Sequence, residues 1–356
     1  NEIVQLFEDH NENLNEHKQR VKKSLKKMRK ELKKYNIYSL TSDNFNDILN
    51  AIATVSSQRK YWLVRTMGGA YYADFIRKNY IAIGYNEISL QQLNNLPQSQ
   101  KQAKVALKAQ FTDAYPDNRS SGHSVSQLLR FTREVRVGDI VIIPSESAMH
   151  VAIGVITSEM YEVEELDSDV DNRCQFKKRM KVDWKSFSRR KYLSPSLQMM
   201  FVSRHPISDV TSYAPYIDSK ISDCYLKNDE MNLVLRITTR KDVDWDDFFN
   251  LKALTALTEQ FCRTYNLNLG DDPIHMKIQM ESPGSLRLSS KSSKKLLVLG
   301  LILTICFGGG IRCERIGLDI STGGIPAILE AISDFRDREA DRGLIETANK
   351  AMDSLK

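Results

Sequence analysis

Acidic side chains able to work on a metal or a proton gather at two places. Asp242, Asp244, Asp246 and Asp247 precede an apolar run, and Asp271-Asp272-Pro273 precedes an alternating segment that ends at Glu281. Acids ahead of a helix cap its N-terminus and favour its dipole, which accounts for the first group. The second has the acids that metal-dependent phosphodiester cleavage uses, but no lysine follows an acid at the needed spacing. The chain carries no GxxxxGK[ST] loop, no GxGxxG after a strand, no HExxH and no GxSxG. Its six histidines (His10, His17, His123, His150, His205, His275) are scattered singly, and only His150, in a β-rich stretch beside Met149, is placed to line a pocket. The five cysteines form no CxxC pair, so reduced thiols in a cytosolic setting are expected, with no zinc site. No catalytic residue, metal or cofactor is expected, and the chain reads as a binding protein, not an enzyme.

The elements that must position any site come next. With 356 residues, 41% hydrophobic, the chain is long enough for two or three domains. The opening residues are polar, so no secretory leader is expected there. Phe7, Leu14, Val21, Met28 and Tyr35 recur every seven residues, which predicts a coiled-coil helix over 4–35. Ten Lys or Arg and one acid, Glu31, fall between Lys18 and Lys34. That face suits self-association, a polyanion, or simple solvation. Residues 1–57 are read as this helical region with its polar connector. Residues 58–215 read as a mixed, β-rich domain, with strands at 60–65, 80–85, 135–144, 151–156, 174–184 and 199–202. A short helix is expected at 71–78 and one continuous helix at 90–114. Residues 222–290 read as a small α/β domain with a strand at 231–237, a helix at 245–265 and a strand at 274–281.

Residues 291–356 form the last region. Lys294-Lys295 is followed by sixteen residues without charge, Leu296 to Ile311, and then Arg312. A spanning helix needs about 20 apolar residues, so this segment is marginal. It fits a short span with snorkelling Lys and Arg, a re-entrant half-helix turning at Gly308, or a core helix of a folded domain. In a pore assembled from several copies, Leu299, Leu303, Thr304, Phe307 and Gly308 would face the membrane or the pore. From Pro326 to Lys356 an amphipathic helical tail is expected.

One stretch resembles a known module. Trp62-Leu-Val-Arg65, the Gly68-Gly69 turn, Tyr71-Tyr72-Ala-Asp-Phe75, Tyr80-Ile-Ala-Ile-Gly-Tyr85, Val137 to Pro144 and Val151 to Ile156 follow in the order found in PUA-like, EVE-type domains, including the N-terminal modules of Mrr-type restriction systems. The resemblance covers about 58–205. It implies a small β-barrel whose groove reads a nucleotide or a flipped, modified base. The family's usual tryptophan after the second strand's glycine is Tyr85 here, and the nuclease domain of restriction enzymes is missing. Base readout needs aromatic faces for stacking and donors for phosphate. Arg65, Tyr71, Tyr72, Phe75, Tyr85 and Arg130 supply both, with Gly69 and Gly84 permitting close backbone approach. The competing reading makes Trp62, Phe75 and Ile83 core residues.

A sensor module joined to a membrane segment is also similar, in architecture alone, to membrane effectors of bacterial anti-phage nucleotide signalling, such as the Hailong-type effectors. The combined expectation is an α+β chain: an N-terminal coiled-coil helix, a PUA-like β-barrel, a small α/β domain and a C-terminal membrane-type helix. Its function would be that of a homo-oligomer, a tetramer or other small ring, at the inner membrane. Cytoplasmic sensor domains would bind a nucleotide or short oligonucleotide, the product of a partner nucleotidyltransferase, and gate a pore through the lipid. The alternative is a soluble reader of modified DNA or RNA.

Overall fold

The computed structural model describes residues 54–164, 166, 173–237, 245–264, 270, 272–279, 284–307 and 346. The expected coiled coil over 4–35, the acids Asp242, Asp244 and Asp271, Gly308 and the tail expected from Pro326 lie outside the described residues, Glu346 excepted. In chain order the elements are β1 (Thr54–Val55), β2 (Tyr61–Val64), α1 (Tyr72–Arg77), β3 (Tyr80–Ile83), α2 (Leu90–Asn94), α3 (Gln100–Ala114), α4 (Ser121–Arg133), β4 (Ile140–Pro144) and β5 (His150–Ile156). Then follow β6 (Tyr161–Glu162), β7 (Lys178–Arg189), α5 (Pro195–Met199), β8 (Ile207–Asp209), α6 (Ala214–Ile221), β9 (Cys224–Lys227), β10 (Glu230–Ile237), α7 (Trp245–Thr264), β11 (His275–Gln279), β12 (Gly284–Ser290) and α8 (Ser293–Phe307). The architecture is α+β and divides into two compact units, one holding Gln58–Asp218 and the other holding 54–57 and the chain from Ser219.

The first unit is a seven-stranded sheet in the order β3-β7-β5-β4-β2-β8, with β6 paired to β7. Tyr61–Val64 and Ile140–Pro144 are continuous apolar runs, and every residue of both is buried. Such runs mark strands covered on both faces, and here they pair in parallel, Tyr61 opposite Ile140. β7 is twelve residues long and serves two partners. Its first residues pair with β3 and the rest with β5, across an irregularity at Ile153/Gly154 that curls the sheet into a half-barrel. Gly154 permits the close pass, because a Cβ there would lie 2.4 Å from Val182 Cγ1.

The helices cover this sheet with apolar stripes. α3 buries Ala103, Leu107 and Phe111 at four-residue spacing, and α4 buries Val125, Leu128, Leu129 and Phe131. They join Trp62, Phe75, Tyr80 and Val141 in one core. The expected single helix over 90–114 is two helices. Pro97 cannot continue a helix, and α2 begins afresh at a Ser89–Gln92 capping box. The strand expected at 199–202 is instead a 3-10 turn following α5, which starts at Ser194 with Pro195 in its first turn. α4 carries no sequence expectation, since Ser121, Gly122, Ser124 and Ser126 dilute its helical pattern.

The second unit is a five-stranded sheet in the order β1-β9-β10-β12-β11. Leu233 lies opposite Leu288, and Leu288 opposite Met276, so one face is apolar. α8 packs against β10, β12 and α7. Its Leu296, Leu297, Val298, Leu299 and Ile302 are buried. Fifteen helical residues reach about 22 Å, short of a hydrocarbon core of about 30 Å. No helix among the described residues is long and apolar enough to cross a membrane. Leu299, expected at a membrane or pore surface, is a core residue of this unit. Leu303, Thr304 and Phe307 belong to the same helix.

Candidate functional site

The end of β2 feeds a tight turn. Arg65 emerges half-buried, and its Nε donates to Ser203 O at 3.1 Å and its Nη2 to Phe201 O at 2.6 Å, with a further Nη2 contact to Ser203 O. Burial lowers its pKa from the ordinary value. These bonds fix the guanidinium plane and leave Nη1 for a ligand. Met67, Gly68 and Gly69 then run through positive φ, and Gly69 is pressed on the next loop so closely that a Cβ would lie 2.2 Å from Glu146 N. The glycine pair in the sequence is explained by that contact.

Past the turn stands a line of aromatics. Tyr71 meets Phe176 edge to face at 5.2 Å between centroids, and Phe176 lies over Gly84, where a Cβ would be 3.0 Å from its ring. Tyr85 follows at φ +65°, with its ring 5.0 Å from Phe111 and 5.7 Å from Tyr115. Tyr71, Tyr85, Tyr115 and Phe176 are all half-buried, each keeping part of its ring exposed.

Tyr85 is held from beneath by a charge. Lys178 is fully buried, and its Nζ donates to the carbonyls of Tyr85 and Ile88, both at 2.8 Å. Burial pushes its ammonium down to about 8, opposed by Glu162 at 4.0 Å. The Tyr85 hydroxyl reaches Ser124 Oγ at 3.0 Å, in the first turn of α4, and Asn118 Nδ2 donates to the same oxygen at 3.2 Å.

The first turn of α4 also brings in two histidines. His123 and His205 stand 4.7 Å apart between ring centroids, both exposed. The turn holds no acid, and the Ser120 side chain makes no capping bond. Further along α4, Gln127 Oε1 accepts from Ile207 N at 3.0 Å, and Arg130 Nη1 donates to Ile207 O at 3.3 Å. α4 and the 201–207 segment are thereby locked together.

Of the predicted site residues, Arg65, Tyr71 and Tyr85 reach this rim. Tyr72 and Phe75 do not, because both rings are buried in the core beside Trp62 and Tyr80. Burial raises the Tyr72 pKa, and its hydroxyl has no hydrogen-bond partner. Arg130 is tied to Ile207 and to Glu134, 3.9 Å away, so it braces the helix. His150 is half-buried opposite Arg189, and burial with that charge lowers its pKa. His123, His205, Ser124 and Lys178 belong to the site and were not legible as members, since only the fold brings positions 39 to 93 residues away to Tyr85.

Asp139 serves structure. It accepts from Trp62 Nε1 at 2.8 Å, Lys60 N at 3.0 Å and Arg136 N at 3.0 Å. Among the described residues no group of three His, Cys, Asp or Glu is placed to hold a metal ion. An open hollow beside Lys78, Tyr161, Lys181 and Asp183 contains none of the predicted residues. Cys174 and Cys224 are buried free thiols.

The rim is thus suited to a planar group that stacks and an anionic group that accepts hydrogen bonds. No curated protein and no solved structure matches the chain. Residues 60–199, which include every aromatic of the rim, match a family model described as a domain of unknown function, DUF8426.

Proposed function

We propose that the first unit is a nucleotide-reading module, PUA-like of the EVE type, that binds a nucleotide or a short stretch of DNA or RNA. The observation that carries this is the rim itself. Tyr71, Phe176 and Tyr85 present half-exposed aromatic surface, and the Arg65 guanidinium and the His123–His205 pair supply donors. Stacking on such rings is worth about 1–3 kcal/mol per base and tolerates any base. The curled seven-stranded sheet, with helices over its core, supports the same reading.

Titrating the full chain against a fluorescein-labelled DNA 6-mer tests it. Tyr85→Leu and Arg65→Ala should each weaken binding about tenfold, the size expected when one stack or one charged hydrogen bond of about 1.4 kcal/mol is lost. Unchanged affinity in both, with melting temperatures preserved, would sink the assignment.

A wider reading makes this module the sensor of an oligomeric membrane effector in anti-phage defence. It draws on the sixteen uncharged residues from Leu296. The burial of Leu296 to Leu299 and Ile302 within the second unit favours the reader without a pore. Recovery of the full chain in alkali-washed membranes would restore the pore.

A further inference from the structure

The strand ends beside the rim form a second surface. β2 and β4 finish, β5 begins and β7 finishes at one edge of the half-barrel, because β2 runs parallel to β4 and β5 is antiparallel to both β4 and β7. The loops at this edge touch one another. The turn at Gly69 lies on Glu146, Arg190 N donates to Met149 O at 2.9 Å, and Arg190 Nη1 donates to Ser147 O at 3.4 Å.

Large apolar side chains stand out from these loops and from the α5 segment that follows them. Met67 is 60% exposed, Met149 60%, Met199 61%, Val202 67% and Tyr192 43%. Single exposed apolar residues need no explanation, but a set confined to one end of a module marks a contact surface. Arg189, Arg190, Lys191 and Arg204 are exposed among them, against one exposed acid, Glu146. Lys191 Nζ lies 4.9 Å from the centre of the Tyr192 ring.

We infer that this loop edge is a docking surface for polynucleotide, taking the chain that flanks the nucleotide held at the rim. The inference rests on the rim reading for its direction, since Arg65 joins the two surfaces through Phe201 and Ser203. The cation excess selects a polyanion. The methionines are unbranched and polarisable, and they fit against base faces wherever a nucleotide has left the stack. Arg189, Arg190, Lys191 and Arg204 contact phosphates without regard to sequence.

The full chain is titrated with a fluorescein-labelled single-stranded DNA 20-mer and, separately, with dAMP. Arg190→Glu/Lys191→Glu should weaken the 20-mer at least tenfold and reduce the slope of log K against log salt by roughly 1.5–2. Met67→Ala/Met149→Ala should weaken the 20-mer severalfold without changing the slope. Both pairs should leave dAMP binding unchanged. Unaltered 20-mer binding in both pairs overturns the inference. So does patch-dependent binding to phosphatidylglycerol/phosphatidylcholine vesicles with DNA binding kept, which would assign the surface to lipid. Patch-dependent loss of a dimer with DNA binding kept also overturns it. If dAMP fails to bind the unmodified chain while the 20-mer shows the expected patch dependence, the rim reading fails and the docking surface stands.

Discussion

Lys178 holds Tyr85 in place: its buried ammonium donates at 2.8 Å to the Tyr85 carbonyl, at the one residue of the rim whose backbone turns through positive φ. Such a backbone is costly for a residue with a side chain and persists only where its surroundings enforce it. A second bond, to Ile88 O, closes the 85–88 turn around the same charge.

Lys178→Met is therefore expected to destabilise the first unit by roughly 2–4 kcal/mol, because two buried carbonyls lose their donor. Urea denaturation followed by tryptophan fluorescence checks this. A loss under about 0.5 kcal/mol would show that the turn holds itself.

The same lysine gives stability a pH dependence. Its folded pKa is near 8 against an ordinary 10.5, so between those values the unfolded chain binds more protons than the folded one. Stability contributed by this group therefore rises with pH from about 8 to 10.5, by an amount on the order of 3 kcal/mol. Denaturation midpoints at pH 7.5, 8.5 and 9.5 should climb in the unmodified chain relative to Lys178→Met.

Two glycines separate backbone strain from contact. Gly69 at φ +110° presses on Glu146, whereas Gly138 at φ +91° has nothing within 4 Å of its missing Cβ. Gly138→Ala should cost about 1 kcal/mol through strain alone. Gly69→Ala should cost about twice that or more, and it should weaken oligonucleotide binding because the turn carrying Tyr71 must move. Equal costs in parallel melting curves would refute the contact.

Leu299 distinguishes a core helix from a pore. It is 1% exposed within the second unit. Leu299→Ala should destabilise that unit by roughly 2–5 kcal/mol, seen as an earlier transition in calorimetry. A thermally silent substitution would indicate that the helix leaves the fold.

Much of the first unit is legible in the residues. The unbroken apolar runs at 61–64 and 140–144 can only be buried strands, and both are. The alternation of 275–279 and the apolar spacing of 245–264 were equally plain. β12 was not, because Ser282-Pro283-Gly284 reads as an end, while Leu286 and Leu288 alternate for only a few residues. At the site, Arg65, Tyr71 and Tyr85 could be found because short motifs surround them. Tyr72 and Phe75 were misplaced by one turn of helix: Tyr71 and Tyr72 differ by a single position, yet one faces the rim and the other the core. His123 and His205 are 82 positions apart in the chain, and no local pattern announces that they meet.

The parallel pairing of β2 with β4 has a consequence for synthesis. Tyr61 waits for Ile140, and Val64 waits for Ile207. At roughly 5–20 residues per second, the ribosome leaves the strand Tyr61-Trp-Leu-Val64 without its first neighbour for about 4–16 s. Throughout that interval the most buried strand of the mature unit is an adhesive stretch on a nascent chain. The hydrogen bond from Trp62 to Asp139 cannot form sooner either. Stalled chains released at increasing length should therefore keep Trp62 accessible to quencher until β4 has cleared the exit tunnel; early protection would mean that β2 first borrows another partner.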